Sequence, residues 1–440
     1  MFKKFISCFL VIILCFCFIG CKEKQSTNIY DSNGKIVVSI ANINSFSGNE
    51  SAYLDVVVSE ACKIISKVKS CDEATAKKQL DKYNVYTYLD ADITSAIAES
   101  YSENISGTNF GCAITNLSGK LIAAYSVDTD NSQNFALSKM QQHSSMKPLS
   151  VYAPAIESGV VNWSTVTVDS PYKKITAENN KQYDWPSNAN GKYSNENITV
   201  YEAIKQSLNT VAVKVLSHYG VNNSIDFLQK SFGIDVSYEQ YKATIYGEDE
   251  VIGNIALGAT QAGSSPIEMA SYYQIFANGG CYTAPTAIKQ ITDADGNVVY
   301  KDTSTSTQVI SAETSYIMNE LLRGVITRGG TGADAYVENI ETAGKTGTGD
   351  NFADNWFVGI TPEYSCAVWH SNLDNKNLAP KLFSSITKKA KVENSIFMTS
   401  PNVKKYIYCA DSGMLLGNNC KKAEMGYFTK DNPPASCNMH

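Results

Sequence analysis

The chain has 440 residues, of which 43% are hydrophobic and 18% charged, and its formal net charge is −6. This length and balance are typical of a soluble globular protein with one large domain and a smaller one. The acidic balance excludes a broad nucleic-acid-binding surface. With only four histidines, any acid–base chemistry is expected to depend on Lys, Ser, Tyr or carboxylate side chains.

The first twenty-one residues are predicted to be a targeting signal and not part of the fold. Lys3 and Lys4 precede an apolar run over residues 5–19, which is short for a transmembrane helix. The run ends in Gly20-Cys21 and resembles a bacterial lipoprotein signal, in which Cys21 would carry the lipid. An uncleaved anchor or an ordinary secretory signal is the alternative. All three place the rest of the chain outside the cytoplasmic membrane.

Residues 22–49 are polar and rich in Ser, Asn and Gly, which predicts a flexible tether. A small α+β unit is predicted over residues 50–105. Apolar residues recur at helical spacing over 51–70, and a second helix follows Asp72. A short strand over 85–89 precedes a helix that Asp90 would cap.

The larger part of the chain, residues 106–440, alternates between strand-rich and helix-rich stretches. Strands are predicted at 110–115, 121–127, 342–348, 356–360 and 365–370, with a hairpin at 288–300. Helices are predicted from Ser144 to Gly159, from Thr199 through Val215, and at 224–232, 266–277 and 311–325. Residues 173–196 are predicted to be a long functional loop. Because strands lie on both sides of the helices, we expect a sheet completed by both ends of the domain.

Eight cysteines lie beyond the signal, an even number that permits disulfides outside the membrane. Three of them, Cys409, Cys420 and Cys437, crowd the tail beside His440. A Cys3His metal site is conceivable, but the spacings are long and uneven compared with zinc motifs. A local disulfide is favoured and reduced thiols remain open, so no metal or cofactor is expected.

A serine and a lysine three positions apart, Ser144 and Lys147, stand at the start of a predicted helix. That spacing puts both side chains on one face, where the amine can reach the hydroxyl and activate it as a nucleophile. The spacing alone carries little weight, because it also occurs at Ser32, Ser66, Ser170 and Ser385. In isolation, a pair of solvated surface residues is the simpler interpretation.

Two further motifs follow in a fixed order, Ser207-Leu-Asn209 and Lys345-Thr-Gly-Thr348. The ordered set resembles that of penicillin-binding proteins and serine β-lactamases. The residues around the motifs resemble the class A penicillin-binding proteins, at 202–214, 255–258, 266–271, 276–280, 344–348, 354–359 and 361–362. The tail that carries Cys409, Cys420 and Cys437 also resembles that family. The resemblance runs from about residue 50 to the end of the chain.

The resemblance implies an α+β fold, an α/β sandwich with a central antiparallel sheet flanked by helices and a helical subdomain. Residues 106–440 would form the transpeptidase domain, and the unit at 50–105 a small linker domain. Residues 86–90 resemble the link that joins the class A glycosyltransferase and transpeptidase domains. No glycosyltransferase domain fits before this link, where residues 22–49 stand, so a separate glycosyltransferase is expected as a partner.

The resemblance also implies a role for each motif residue. Ser144 would attack the carbonyl of a D-alanyl-D-alanine stem peptide. Lys147 would act as the base, with a pKa lowered by burial and by the charge of Lys345. Ser207 would pass the proton to the leaving amine. Asn209 would hold the substrate amide and orient Lys147. The carboxylate and the substrate backbone would be bound by Lys345, Thr346, Gly347 and Thr348.

The implied activity is the cross-linking of peptidoglycan stem peptides by an enzyme that β-lactams acylate, anchored by lipid to the outer leaflet of the cytoplasmic membrane. D,D-carboxypeptidation, β-lactamase activity and a β-lactam sensor are the alternatives. Of the two adjacent serines, only Ser144 has the lysine at i+3, so Ser145 is predicted to be dispensable for acylation. One departure from the family pattern is His143, which replaces the usual glycine, so the backbone there must accept a Cβ atom.

Overall fold

The computed structural model describes residues 27–130, 133–176, 180–391 and 395–439. The predicted signal and its lipidation residue Cys21 lie outside these residues, as does His440. Within the described parts of the chain, no helix combines the length and the apolar character needed to cross a membrane.

The strands, numbered in chain order, are β1 (Asn28–Tyr30), β2 (Ile36–Ser39), β3 (Tyr83–Thr87), β4 (Phe110–Asn116), β5 (Leu121–Val127), β6 (Val166–Val168), β7 (Lys173–Thr176), β8 (Gln182–Trp185), β9 (Asn197–Thr199), β10 (Cys281–Tyr282), β11 (Ile288–Asp293), β12 (Val298–Lys301), β13 (Thr307–Gln308), β14 (Ala343–Thr348), β15 (Asp354–Ile360), β16 (Tyr364–Ser371), β17 (Val403–Cys409) and β18 (Ala423–Thr429). The helices are α1 (Ser51–Lys69), α2 (Glu73–Lys78), α3 (Ala91–Asn104), α4 (Ala153–Glu157), α5 (Val200–Lys205), α6 (Asn209–Tyr219), α7 (Val221–Phe232), α8 (Ser237–Tyr246), α9 (Ile252–Leu257), α10 (Pro266–Tyr273), α11 (Ala312–Val325) and α12 (Ala379–Lys389).

The central sheet is antiparallel and has the order β14-β15-β16-β4-β5, so strands from both ends of the large domain complete it. Its residues alternate between two cores. Ala367 and Trp369 face the core that α10 joins, whereas Cys366 and Val368 face the core that α3 and α12 join. The predicted α+β fold with a central antiparallel sheet flanked by helices is therefore confirmed. The edge strand β14 carries the third motif.

The helix-rich segment between β5 and β14 packs beside one end of this sheet. Helices α6, α7 and α9 pack on the segment that follows Ser144, and their apolar residues are buried against it. Thr199 caps α5 by accepting a hydrogen bond from the N–H of Glu202, as its position before the helix predicts. These helices fix the second motif next to the first.

A second five-stranded sheet, with the order β12-β11-β3-β1-β2, forms the small unit. The prediction of a flexible tether over 22–49 is wrong for the described residues, because β1 pairs with β3 and β2 pairs with β1. Ile29 is buried in the core, and Asp31 accepts hydrogen bonds from two backbone N–H groups of the turn between the strands. The turn Asp31-Ser-Asn-Gly34 between two apolar runs is a hairpin signal that the polar composition obscured.

The predicted boundaries of the small unit, 50–105, also need correction. Its sheet takes β11 and β12 from residues 288–301, far along the chain. Conversely, helix α3 lies within residues 50–105 in sequence but packs against α12 and the central sheet. Long-range strand pairing and the apolar face of α3 decide this arrangement, and neither is visible as a change in composition.

Candidate active site

Ser144 lies in a tight turn, His143–Met146, that leads into a wider turn at Pro148–Tyr152 and then α4. The helical segment ends before Gly159, which adopts a left-handed φ of +73°, as the sequence predicts. Pro148 is accommodated because the helical segment begins only a few residues before it. Ser144 itself is half-buried.

The residue before Ser144 explains why a glycine is expected there. His143 has a φ of +50°, in the left-handed region that glycine adopts readily and other residues adopt uncommonly. The backbone N–H of His143 donates to the carbonyl of Gly258 at 2.8 Å, and Nε2 lies 3.5 Å from Asp354 Oδ2. A Cβ at Gly258 would lie 2.0 Å from the His143 carbonyl oxygen. The turn that contains His143 and the turn at Gly258 therefore approach so closely that only glycine can occupy position 258.

Three further hydrogen bonds hold the turn His143–Met146 and the residues just before it. The Trp356 indole N–H donates to the Gln141 carbonyl at 2.9 Å, and the Tyr273 hydroxyl donates to the Ser145 carbonyl. The Ser145 hydroxyl is buried and donates to the Gln142 carbonyl at 2.6 Å. Ser145 therefore serves the turn, and the half-buried Ser144 is the serine of the pair that can meet a substrate.

Lys147 is almost completely buried, and its amine lies between two groups of the second motif. Lys147 Nζ donates to the Ser207 carbonyl at 2.8 Å and to Asn209 Oδ1 at 2.7 Å. Burial, and then the charge of Lys345, hold the pKa of Lys147 well below its usual range. A neutral amine three residues after Ser144 on the same segment is suited to accept a proton.

The second motif does not lie inside one helix, as the sequence analysis expected, but at the junction between α5 and α6. Ser207 adopts a φ of +58°, and the N–H of Leu208 donates back to the Ala203 carbonyl at 3.0 Å. This is the closing pattern of a helix C-terminus. The break turns the Ser207 hydroxyl toward Lys345 while Asn209 begins the next helix. A left-handed serine next to reactive groups is the kind of strained backbone that functional sites hold in place.

The sequence analysis missed the residue that caps α6. Asn188, from the long polar loop, accepts hydrogen bonds from the N–H groups of Asn209 at 2.9 Å and Thr210 at 3.3 Å. Its own amide donates to Asp169 Oδ1 at 2.8 Å, and both residues are buried. An asparagine within an Asn-rich loop carries no local sign of this role, because its partners are distant in sequence.

Lys345 is buried on β14 and joins the third motif to the second. Its amine donates to Ser207 Oγ at 2.8 Å and to the Thr346 carbonyl at 3.1 Å. Burial lowers the pKa of Lys345 to about 7. Ser207 is thus connected to both lysines, through its hydroxyl to Lys345 and through its carbonyl to Lys147.

The rest of the third motif lines the open edge of the sheet. Thr346 Oγ1 lies 2.8 Å from Thr331 Oγ1. Asn377, which the sequence analysis did not identify, donates through Nδ2 to the Gly347 carbonyl and to Thr348 Oγ1, both at 3.0 Å. β14 is an edge strand of the central sheet, the position at which extended peptides add to a sheet.

Gly347 has a second role that the sequence did not indicate. A Cβ at this position would lie 2.5 Å from the Gln142 carbonyl oxygen and 3.1 Å from the Ser145 backbone nitrogen. The absence of a side chain at Gly347 therefore allows the turn His143–Met146 to pack directly against β14. The expected role, leaving the strand edge open to substrate, remains a prediction.

The structure brings all three motifs into one site. Within the described parts of the chain, the group of three or more His, Cys, Asp or Glu side chains that could hold a metal lies in the C-terminal tail, not here. A half-buried serine whose own segment carries the buried Lys147, with the buried Lys345 joined to Lys147 through Ser207, is suited to acyl transfer through a serine ester.

The chain belongs to the penicillin-binding protein transpeptidase domain family, whose model matches residues 111–397. It is 35% identical over 233 residues to penicillin-binding protein 1A of Clostridium acetobutylicum, a match of 52% of this chain and 27% of that protein. It is 29% identical over 297 residues to penicillin-binding protein 4 of Bacillus subtilis, covering 66% and 44%. The chain thus spans less than half of the length of either relative.

Solved structures share the fold. The D,D-transpeptidase domain of a peptidoglycan glycosyltransferase from Eggerthella lenta superposes with a TM-score of 0.61 at 19% identity, covering 83% of this chain and 97% of that domain. The PonA1 protein of Mycobacterium tuberculosis in complex with penicillin V superposes with a TM-score of 0.63 at 21% identity, covering 78% and 95%. At these identities the likeness establishes the fold alone.

Proposed function

We propose that the protein is a peptidoglycan D,D-transpeptidase that forms an acyl-enzyme at Ser144 and that β-lactams acylate at the same residue. The observation that carries this proposal is the convergence of the three motifs, in which Lys147 Nζ contacts Ser207 and Asn209 while Lys345 Nζ contacts Ser207 Oγ. Membership of the transpeptidase family supports it.

In the first step the Ser144 oxygen attacks the carbonyl carbon between the two D-alanines, and neutral Lys147 takes the hydroxyl proton. The C–N bond then breaks as the Ser207 hydroxyl gives its proton to the departing amine of the terminal D-alanine and receives in exchange the proton that Lys147 took up. Backbone N–H groups of Ser144 and Thr348 stabilise the oxyanion. Lys345, Thr346 and Thr348 bind the terminal carboxylate.

In the second step an amine from another stem peptide attacks the acyl carbon, forms the new amide and returns the Ser144 oxygen as a hydroxyl. Asn209 holds Lys147 throughout, through its Oδ1 atom. The side-chain amide of Asn209 donates one hydrogen bond to the Ser187 carbonyl at 2.7 Å. The amide of Asn209 has a second proton, which can bind the substrate amide.

Labelling with fluorescent penicillin, followed by intact mass measurement, tests the acyl-enzyme. Wild type and Ser145→Ala should both carry one covalent adduct, whereas Ser144→Ala should carry none. The buried Ser145 is a matched control, because it is the adjacent serine and its hydroxyl is bound to the Gln142 carbonyl. Labelling of Ser144→Ala equal to that of wild type would exclude acylation at Ser144.

Incubation with stem peptides and an amine acceptor separates the competing activities. A cross-linked product supports transpeptidation, whereas release of D-alanine without a new amide indicates a D,D-carboxypeptidase. Rapid loss of the penicillin adduct by hydrolysis would indicate a β-lactamase. A stable adduct with no product from either peptide would indicate a sensor.

The proposal includes a lipid anchor at Cys21 in the outer leaflet of the cytoplasmic membrane, with glycan supplied by a separate glycosyltransferase. The basic, apolar and Gly-Cys parts of the signal support the anchor. Metabolic labelling with a fatty-acid analogue should mark wild type and leave Cys21→Ala unmarked. Equal labelling of both proteins would contradict the anchor.

A further inference from the structure

Three cysteines meet at the C-terminal hairpin, far from the residues of the acyl-transfer site in sequence. Cys409 ends β17, Cys420 lies in the loop before β18, and Cys437 lies in the tail after β18. Their Sγ atoms all lie within 4.8 Å of one another, and all three are free thiols. Cys409 is buried and the other two are half-buried.

Backbone hydrogen bonds bring the three segments together without help from the sulfur atoms. The N–H of Cys409 donates to the Met414 carbonyl at 2.7 Å, and the N–H of Cys437 donates to the Leu415 carbonyl at 2.8 Å. The N–H of Leu415 donates to the Ala435 carbonyl at 2.9 Å. The cluster therefore follows from the fold of the hairpin and tail, and the sulfur atoms are held in place before any ligand binds.

Two of the sulfur atoms accept hydrogen bonds. The N–H of Gly417 donates to Cys420 Sγ at 3.3 Å, and the Ser412 hydroxyl donates to Cys437 Sγ at 3.3 Å. Donors of this kind stabilise negative charge on sulfur, and groups around metal ligands commonly provide them. They orient the two half-buried cysteines toward the shared centre.

We propose that Cys409, Cys420 and Cys437 bind a structural zinc ion as thiolates. Zinc is four-coordinate in structural sites, and Zn–S bonds of about 2.3 Å separate tetrahedral ligands by roughly 3.8 Å. The sulfur atoms need to move only slightly to reach that spacing. A disulfide would instead draw two of them to about 2.05 Å and leave the third without a partner.

The described residues supply three ligands, and a water molecule would complete the four-coordinate site. Binding releases the thiol protons to solvent, so uptake strengthens as the pH rises. The sequence analysis disfavoured a metal because the spacings are long and uneven; the folded hairpin removes that objection.

The zinc would fasten the tail to the hairpin, and the hairpin to the helical side of the domain. The Tyr427 ring on β18 lies 5.2 Å from the Trp163 ring and 5.6 Å from the Tyr316 ring of α11. The Ser164 hydroxyl donates to the Gly413 carbonyl, in the turn between two of the cluster residues. The role of the zinc ion is therefore structural, and the zinc proposal is independent of the acyl-transfer proposal.

Zinc content, measured on the full chain purified under reducing conditions, tests the site. Wild type should hold about one zinc ion per chain, and Cys420→Ser and Cys437→Ser should hold none. The matched control is Cys281→Ser, which removes a half-buried cysteine outside the cluster and should retain the metal. Cobalt in place of zinc should give thiolate-to-metal charge-transfer absorption in wild type and not in the cluster variants.

Chelation should lower the melting temperature of wild type, and added zinc should restore it. The chelator experiment uses wild type, so this test does not depend on the folding of the cluster variants. Reduced wild-type protein that takes up no zinc would overturn the proposal. So would a denatured mass lacking two hydrogens, with a disulfide mapped to two of the three cysteines, in protein that contains no zinc. Penicillin labelling in parallel distinguishes this failure from a failure at Ser144.

Discussion

In the proposed mechanism the two lysines have different tasks. Lys147 donates to two oxygen atoms and would have to be neutral to accept a proton, whereas Lys345 would have to be charged to attract a carboxylate. The sequence analysis anticipated the lowered pKa of Lys147, because it placed two lysines near each other. It did not anticipate the pKa of about 7 for Lys345, since burial of that side chain depends on how β14 meets the helical segment.

The pKa of Lys345 predicts a loss of acylation rate on the alkaline side. Below pH 7 Lys345 is a cation that attracts the carboxylate of a β-lactam, and above about 7 the free protein loses this charge. The second-order rate of penicillin acylation should therefore fall as the pH rises through this range. In Lys345→Arg the falling limb should disappear, because arginine stays charged. The same falling limb in both proteins would assign it to another group.

A substitution at Asn209 should change the acidic side of the same pH–rate profile, because Asn209 contacts Lys147. Asn209→Asp would place a carboxylate at the position where Oδ1 accepts from Lys147 at 2.7 Å. An opposite charge favours the protonated amine, so the pKa of Lys147 should rise and the base should be blocked up to a higher pH. We expect acylation near neutral pH to fall by roughly 10- to 100-fold, with recovery as the pH increases. A loss that is the same at every pH would point to substrate binding instead.

At the scale of elements, the junction between α5 and α6 positions the second motif. Asn188→Ala would remove the acceptor for two N–H groups at the start of α6 and should destabilise the protein by about 1 kcal/mol. Because Asn209 begins α6, the acylation rate should fall as well. Asn190→Ala is a matched control in the same loop, since Asn190 is exposed and caps no helix. Equal effects of the two substitutions in chemical denaturation and penicillin labelling would argue against capping.

Local patterns predicted most elements but not this junction. The strands β15 and β16 were visible as strand-like runs, and the capping residues Asp72, Asp90 and Thr199 were visible as polar residues before helices. The break at Ser207 was not visible, because its flanking residues continue a helical pattern. The conformation is decided by partners from the loop at Asn188 and from β14, which tertiary folding alone brings near.

At the scale of the whole molecule, the described residues form two five-stranded sheets whose segments are interleaved along the chain. The small sheet takes strands from residues 28–39, 83–87 and 288–301, and α3 crosses to the central sheet. The ordered motifs were sufficient to predict which residues meet at the candidate site, because the motifs depend on residue types at short spacing. The composition of residues 27–49 was misleading, because a few buried residues such as Ile29 and Val38 fix strands that are otherwise polar.

Removal of β1 and β2 tests whether these strands belong to the folded molecule. A chain of residues 49–440 would lose Ile29 and Val38 from the core and would expose β3, which pairs with β1 along one edge. Each buried side chain contributes about 1.5–3 kcal/mol, so the small sheet should be less stable by about 3–6 kcal/mol than in a chain of residues 27–440.

The measurement is thermal and chemical denaturation of the two chains, with penicillin labelling at low temperature as a second readout. The shorter chain should unfold at a lower temperature while still labelling Ser144, because the motifs lie on the central sheet and the helical segment. A dispensable tether would give equal melting temperatures. Loss of labelling together with stability would show instead that the small sheet supports the acyl-transfer site, through α3, α12 and the central strands between them.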